Sequence, residues 1–128
     1  MQTSYAQIPD LQHIYLEDSY VLNVKEYESR LVFLLEAVLT EQHPQYLLPA
    51  ADEYYCYRRA TLVFPATKRV IWLEKHFKPY RDTSDHVDYG NIDIFYAQDD
   101  AYHLEGDWGR VVIDSNIPYV SFVDETSV

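Results

Sequence analysis

The segment Tyr54-Tyr55-Cys56-Tyr57-Arg58-Arg59 concentrates the side chain types that recognise other molecules. In an extended strand Tyr55, Tyr57 and Arg59 project to one side, and Tyr54, Cys56 and Arg58 to the other. Tyrosine and arginine offer large contact areas with polar ends, the combination that dominates protein interfaces. Tyr55, Tyr57 and Arg59 are therefore the candidate binding residues. The plainer reading is that one tyrosine row is core and the arginines neutralise acidic segments elsewhere.

Other clusters could do chemistry of a different kind. Asp82, Asp85, Asp88 and Asp93, with His86 and Asn91 nearby, supply the oxygen ligands that a hard cation needs, and Gly90 could turn the loop. Their spacing is not that of a calcium loop, where acidic or amide residues alternate ahead of the glycine and a glutamate closes the ring, so a solvated polar loop is the simpler reading. His103, Glu105 and Asp107 alternate, as one imidazole and two carboxylates on a strand face would, and could hold a metal or move a proton. Against that, Gly106-Asp107-Trp108-Gly109 reads as a turn that removes Asp107 from the face and folds Trp108 onto the core. Cys56 has no histidine beside it in sequence; His13, His43, His76 or His86 would have to reach it in the fold for a nucleophilic thiolate, and a buried inert thiol is the default. The serines lack any nucleophile-elbow context. No catalytic residue, metal ligand or cofactor is assigned.

Composition narrows the field. The chain has 128 residues, three glycines, one cysteine, thirteen tyrosines and a net charge of −11. Glycine spacing excludes phosphate-binding and dinucleotide loops, and a single cysteine excludes internal disulfides and cysteine-based zinc frameworks. The acidity argues against nucleic acid as a partner, since phosphate contacts need a basic surface. No apolar run approaches a bilayer's thickness, and Met1–Asp10 lacks the basic-then-apolar order of a signal peptide, so a soluble protein away from the membrane is expected. The charge is layered along the chain. Met1–Tyr57 carries nine acidic and two basic residues, Arg58–Arg81 seven basic residues against Glu74, and Asp82–Val128 eleven acidic residues against Arg110. On a folded surface such segments can interleave, or a basic one can meet an acidic one of a neighbour.

The elements that must position these groups read as short strands in one domain over 1–128. Runs rich in Val, Ile, Tyr, Phe and Leu alternate with polar clusters and six prolines. Strands are expected at His13–Glu17, Tyr20–Val24, Tyr54–Phe64, Arg69–Glu74, Ile92–Ala97, Tyr102–Glu105, Arg110–Asp114 and Tyr119–Val123. A hairpin is expected around Pro65–Lys68, and Val70-Ile71-Trp72-Leu73, apolar on both faces, reads as a central strand. Arg30–Thr40 is ambiguous. Leu31, Leu34, Leu35, Val38 and Leu39 sit at helical spacing, yet the run also suits a strand buried on both faces, and its strand-like neighbours favour the latter. The fold class is mainly β: an antiparallel meander forming a small barrel or sandwich, with a helix near 30–40 as the alternative.

The run Asp88-Tyr89-Gly90-Asn91-Ile92-Asp93-Ile94-Phe95, followed by Tyr102-His103-Leu104-Glu105-Gly106-Asp107-Trp108-Gly109, resembles the ending of small bacterial β-rich proteins of unknown function. Some similar families are immunity proteins of toxin systems. The resemblance rests on turn and packing signatures and carries over no site residue; it implies a bacterial, cytoplasmic protein. The expectation is a non-enzymatic acidic module that binds a protein with a basic surface, with homo-oligomerisation open. The alternative is a β-barrel that binds a small molecule, or a small enzyme, with a pocket lined by Tyr and His.

Overall fold

A computed structural model describes residues 2–49, 51, 55–81 and 87–123. The strands are β1 (Thr3–Ser4), β2 (Ile14–Glu26), β3 (Arg30–Leu39), β4 (Cys56–Pro65), β5 (Arg69–Lys75), β6 (Tyr80–Arg81), β7 (Val87–Asp88), β8 (Ile92–Gln98), β9 (Ala101–Gly106), β10 (Gly109–Asp114) and β11 (Tyr119–Phe122). Two single 3-10 turns, Tyr5–Gln7 and Pro9–Leu11, join β1 to β2. One sheet has the order β1-β8-β9-β10-β5 and the other β11-β4-β3-β2, every pairing antiparallel; β6 and β7 form a separate ribbon. The sheets do not close into a barrel. No helix among the described residues is long and apolar enough to cross a membrane.

Arg30–Leu39 is a strand, and its packing explains why helical spacing lost. Leu31, Phe33, Leu35, Ala37 and Leu39 alternate into the core, each at most 3% exposed. Val32, Leu34, Glu36 and Val38 take the other face, and ten residues pair in unbroken register with β4. A helix would have left those backbone groups to bond internally and placed Phe33 and Ala37 off the buried stripe.

Between the sheets, Phe33 meets Phe64 and Trp108 edge-on, with ring centres 6.0 and 5.2 Å apart, and Phe95 packs against Phe64 at 5.8 Å. Each such burial contributes about 1.5–3 kcal/mol relative to exposure. These rings fill the space between the two sheets.

Two sequence expectations change. Pro65–Lys68 is not a hairpin, because β4 and β5 belong to different sheets. The connection crosses the sandwich, held by Thr67 N–H to Ser29 O, Lys68 N–H to Asp114 O and Asn116 N–H to Pro65 O at 2.8–3.0 Å. The β10-to-β11 connection crosses beside it, so the C-terminal meander ends at β10, while β2-β3-β4 form a second meander in the other sheet. β5 is consequently an edge strand rather than a central one. Val70 and Trp72 pack inward, while Ile71 and Leu73 lie outside, 40% and 54% exposed. The apolar character of both its faces thus reports an exposed apolar surface, not double burial.

Candidate functional site

The outward face of β2-β3-β4 gathers the tyrosines. Register places Tyr15, Val38 and Tyr57 in one row across the three strands, and Tyr20, Glu36 and Arg59 in the next. Tyr20 stacks on Tyr57 at 6.1 Å, and Tyr55 meets Tyr57 edge-on at 6.0 Å. Tyr55, Tyr57 and Arg59, the three residues singled out from sequence, therefore share one surface. Tyr15 and Tyr20 complete it, and strand alternation alone could not have put them there. Residues 15 and 20 are five apart and would face opposite sides of a regular strand. Between them β2 uses five steps to β3's two, a bulge that resets the alternation.

Ser19 makes that bulge possible. Its buried hydroxyl donates to Tyr15 O at 2.7 Å and accepts Val38 N–H at 2.9 Å, replacing the ladder partner that β3 loses. Asn91 Nδ2 donates to Ser19 O at 2.6 Å, and Asn91 O accepts the Trp108 indole N–H at 3.0 Å. A polar chain thus runs from the bulge to the central tryptophan. Gly106 closes its far end: a Cβ there would lie 2.2 Å from Asn91 O and 2.4 Å from Trp108 Nε1. At its edge, β2 exchanges hydrogen bonds of 2.8 Å between the buried Val21 and the Tyr89–Gly90 backbone that leads into β8.

The electrostatics of the face are acidic. Asp18, Glu36 and Glu41 lie on or around it, with Arg59 the basic residue in register with Glu36. Burial pushes the Tyr57 phenol up to about 12, helped by Tyr20, Glu36, Tyr55 and Asp18, so it stays a neutral hydrogen-bond donor. At one end the face opens into a cleft of about 340 Å³, lined by Tyr15, Val38, Thr40, Tyr46, Tyr55 and Cys56 among others. Thr40 Oγ1 is buried there with no hydrogen-bond partner among the described residues. The Cys56 thiol accepts Leu47 N–H at 3.3 Å, and among the described residues no histidine lines the cleft beside it. His13, His43 and His76 are thus not beside the thiol in this cleft, and His86 lies outside the described residues.

Arg58 lies apart from the tyrosines, at the end of the sandwich. Its Nη1 donates to Gln45 O at 2.9 Å, while His43 Nδ1 accepts Gln45 N–H at 3.0 Å. Burial, then His13 and Arg58, hold the His43 imidazole below its ordinary value. A second cavity of about 450 Å³ lies here, between His13, His43 and Phe122.

The remaining candidates separate. Asp88 Oδ1 accepts Gly90 N–H at 2.7 Å and Asn91 serves the bulge, so both have structural tasks. Asp82, Asp85 and His86 lie outside the described residues, and Asp93 faces solvent beside Asp107, Glu105 and Glu17, its carboxyl raised first by burial and then by that company. Among the described residues no three His, Cys, Asp or Glu side chains are grouped to hold a metal. His103 and Glu105 do share the outer face of β9, whereas Asp107 lies exposed in the turn beyond it, ahead of the fully buried Trp108. Ser19 is the functional neighbour that sequence reasoning missed; the one available signal was a polar pair, Asp18-Ser19, interrupting an otherwise continuous strand pattern. Compared with known proteins, the chain matches no family model, no curated protein and no solved structure.

Proposed function

We propose that this chain is a non-enzymatic protein-binding module, immunity-like in kind, whose tyrosine face masks a partner with a basic surface. The observation that carries this reading is the convergence of Tyr15, Tyr20, Tyr55 and Tyr57 on one outward face with an acidic border. Such rings contribute contact area at low entropic cost, and the border steers a basic partner into place. The experiment is affinity capture from the native host at low and high salt, followed by binding measurements with the purified partner. Tyr57→Ala is expected to weaken binding at least tenfold, and the association rate of the unaltered protein to fall as salt rises. Equal capture by wild type and Tyr57→Ala, or no partner at either salt, overturns the proposal.

The cleft supports a second reading, a small-molecule site, because Thr40 Oγ1 is a buried polar atom at its wall with no partner among the described residues. Thermal-shift measurements with small phenolic and carboxylic fragments test it. Stabilisation that disappears in Thr40→Val supports the reading, and no stabilisation by any fragment removes it.

A further inference from the structure

The other sheet presents an outer face of different character. Ile71, Val112, His103 and Tyr96 form one row across β5, β10, β9 and β8, each the register partner of the next. Tyr96 and His103 stack flat, 4.8 Å apart with 6° between their planes. On one side of this row Arg69 pairs in register with Asp114; on the other Glu74, Arg110 and Glu105 are in register, with Arg110 at 3.6 and 3.7 Å from the two carboxylates. An apolar and aromatic row thus lies between two charged rows. Leu73 and Ile94, 54% and 43% exposed, add to the apolar surface.

The edge of β5 is poorly suited to strand addition. Leu73 and Glu74 together oppose Arg110 in a bulge, and Arg69 and Lys75 stand at the strand's ends, both devices that discourage edge pairing. The face, not the edge, is the available surface.

We infer that this face binds a second copy of the chain across a two-fold axis running along the Ile71–Val112–His103–Tyr96 row. Charge selects this axis. It lays each row of the apolar stripe on its own copy and brings the row above the stripe against the row below it in the partner. Asp114 then meets Arg110 of the second copy and Arg69 meets its Glu74, each twice by symmetry. A two-fold axis along the strands would instead set each charged row on its own counterpart, matching only Arg110 with Glu105 and leaving Arg69 opposite Gln98, so it satisfies fewer charges. An interface of this kind is isologous and closes at two copies. Four strands at about 4.8 Å spacing and five residues at about 3.3 Å each cover a patch of roughly 300 Å² before side-chain relief. That is small against the roughly 800 Å² per partner of stable complexes, so the dimer is weak and concentration-dependent.

Charge-swapped variants test the axis. Sedimentation velocity from about 10 µM to 1 mM should show wild type passing from monomer to dimer. Asp114→Arg alone, and Arg110→Asp alone, should each shift the dimerisation midpoint at least tenfold upward, because like charges then face each other twice. An equimolar mixture of the two variants should restore dimers, since one copy then offers only arginine and the other only aspartate at those positions. Circular dichroism identical to wild type establishes that both variants fold. A wild type that stays monomeric, variants that dimerise as well as wild type, or a mixture that fails to recover overturns the inference. Tyr57→Ala, on the opposite sheet, should leave the midpoint unchanged, which keeps this result separable from that of the tyrosine face.

Discussion

The two outer faces of this sandwich are built by the same period-two alternation and have come to opposite chemical compositions. The β2-β3-β4 face collects tyrosines within an acidic border, whereas the β5-β10-β9-β8 face carries an apolar row flanked by charges already matched in sign. The first is asymmetric in charge, with more acidic than basic side chains about it. The second is balanced, and on a molecule of net charge −11 a balanced face is where a like molecule can approach without strong repulsion. The difference teaches that overall acidity describes neither face well. The charges are sorted by sheet, although they are segregated by segment along the chain.

Both faces rest on one core, so the largest perturbation should erase the distinction between them. Trp108→Ala should destabilise the fold by about 3–5 kcal/mol, read as a lower denaturation midpoint, and should impair partner binding and self-association together. A smaller loss confined to one face would mean that the sheets are less coupled than the Trp108–Asn91–Ser19 chain implies. Ser19→Ala sharpens the contrast by acting beneath the tyrosine face alone. Leaving the buried Val38 N–H without its acceptor should cost about 1–3 kcal/mol, and hydrogen exchange should accelerate at Val38 before it does in β9 and β10.

On the opposite sheet, Asp99 and Asp100 hold the β8–β9 turn at φ of 55° and 62°, the left-handed region that favours glycine. Asp100→Gly should therefore stabilise the fold, by a few tenths to about 1 kcal/mol in thermal melts, without altering the tyrosine face.

The smallest effect concerns pH. The folded His43 imidazole lies below its ordinary value of 6.5, so between that folded value and about 6.5 the unfolded chain binds a proton the native protein lacks. Stability contributed by this site is complete above that window and declines as pH falls through it. Denaturation midpoints of wild type should drop more on acidification than those of His43→Phe; parallel curves would show that the site contributes nothing.

Much of the fold was legible from residue pattern. Turn residues at Gly90-Asn91, Gln98–Asp100 and Gly106–Gly109 bounded β8, β9 and β10 to within a residue or two, because local turn chemistry and alternation act on neighbours in sequence. The inward fold of Trp108 from a two-residue turn was legible for the same reason. Pairing across the molecule was not. β4 and β5 read as a hairpin because their turn is short, yet the backbone bonds of residues 67 and 68 go to Ser29 and Asp114, which no local pattern reveals. Of the site, Tyr55, Tyr57 and Arg59 were readable on one side of a strand, whereas Tyr15 and Tyr20 depended on a bulge whose supporting partners, Val38 and Asn91, lie 19 and 72 residues from Ser19.

The sequence by itself determined the β character, the strand boundaries of the C-terminal meander, the acidic balance and the common side of Tyr55, Tyr57 and Arg59. These follow from interactions within a few residues or from composition. Tertiary structure decided that Arg30–Leu39 extends rather than coils, that β5 stands at an edge with its apolar residues outside, and that Tyr15 and Tyr20 join the same face as Tyr57. Each of those outcomes depends on which distant backbone groups satisfy one another. Satisfying every buried N–H and C=O is a constraint on the whole chain at once, and no window of the sequence contains it.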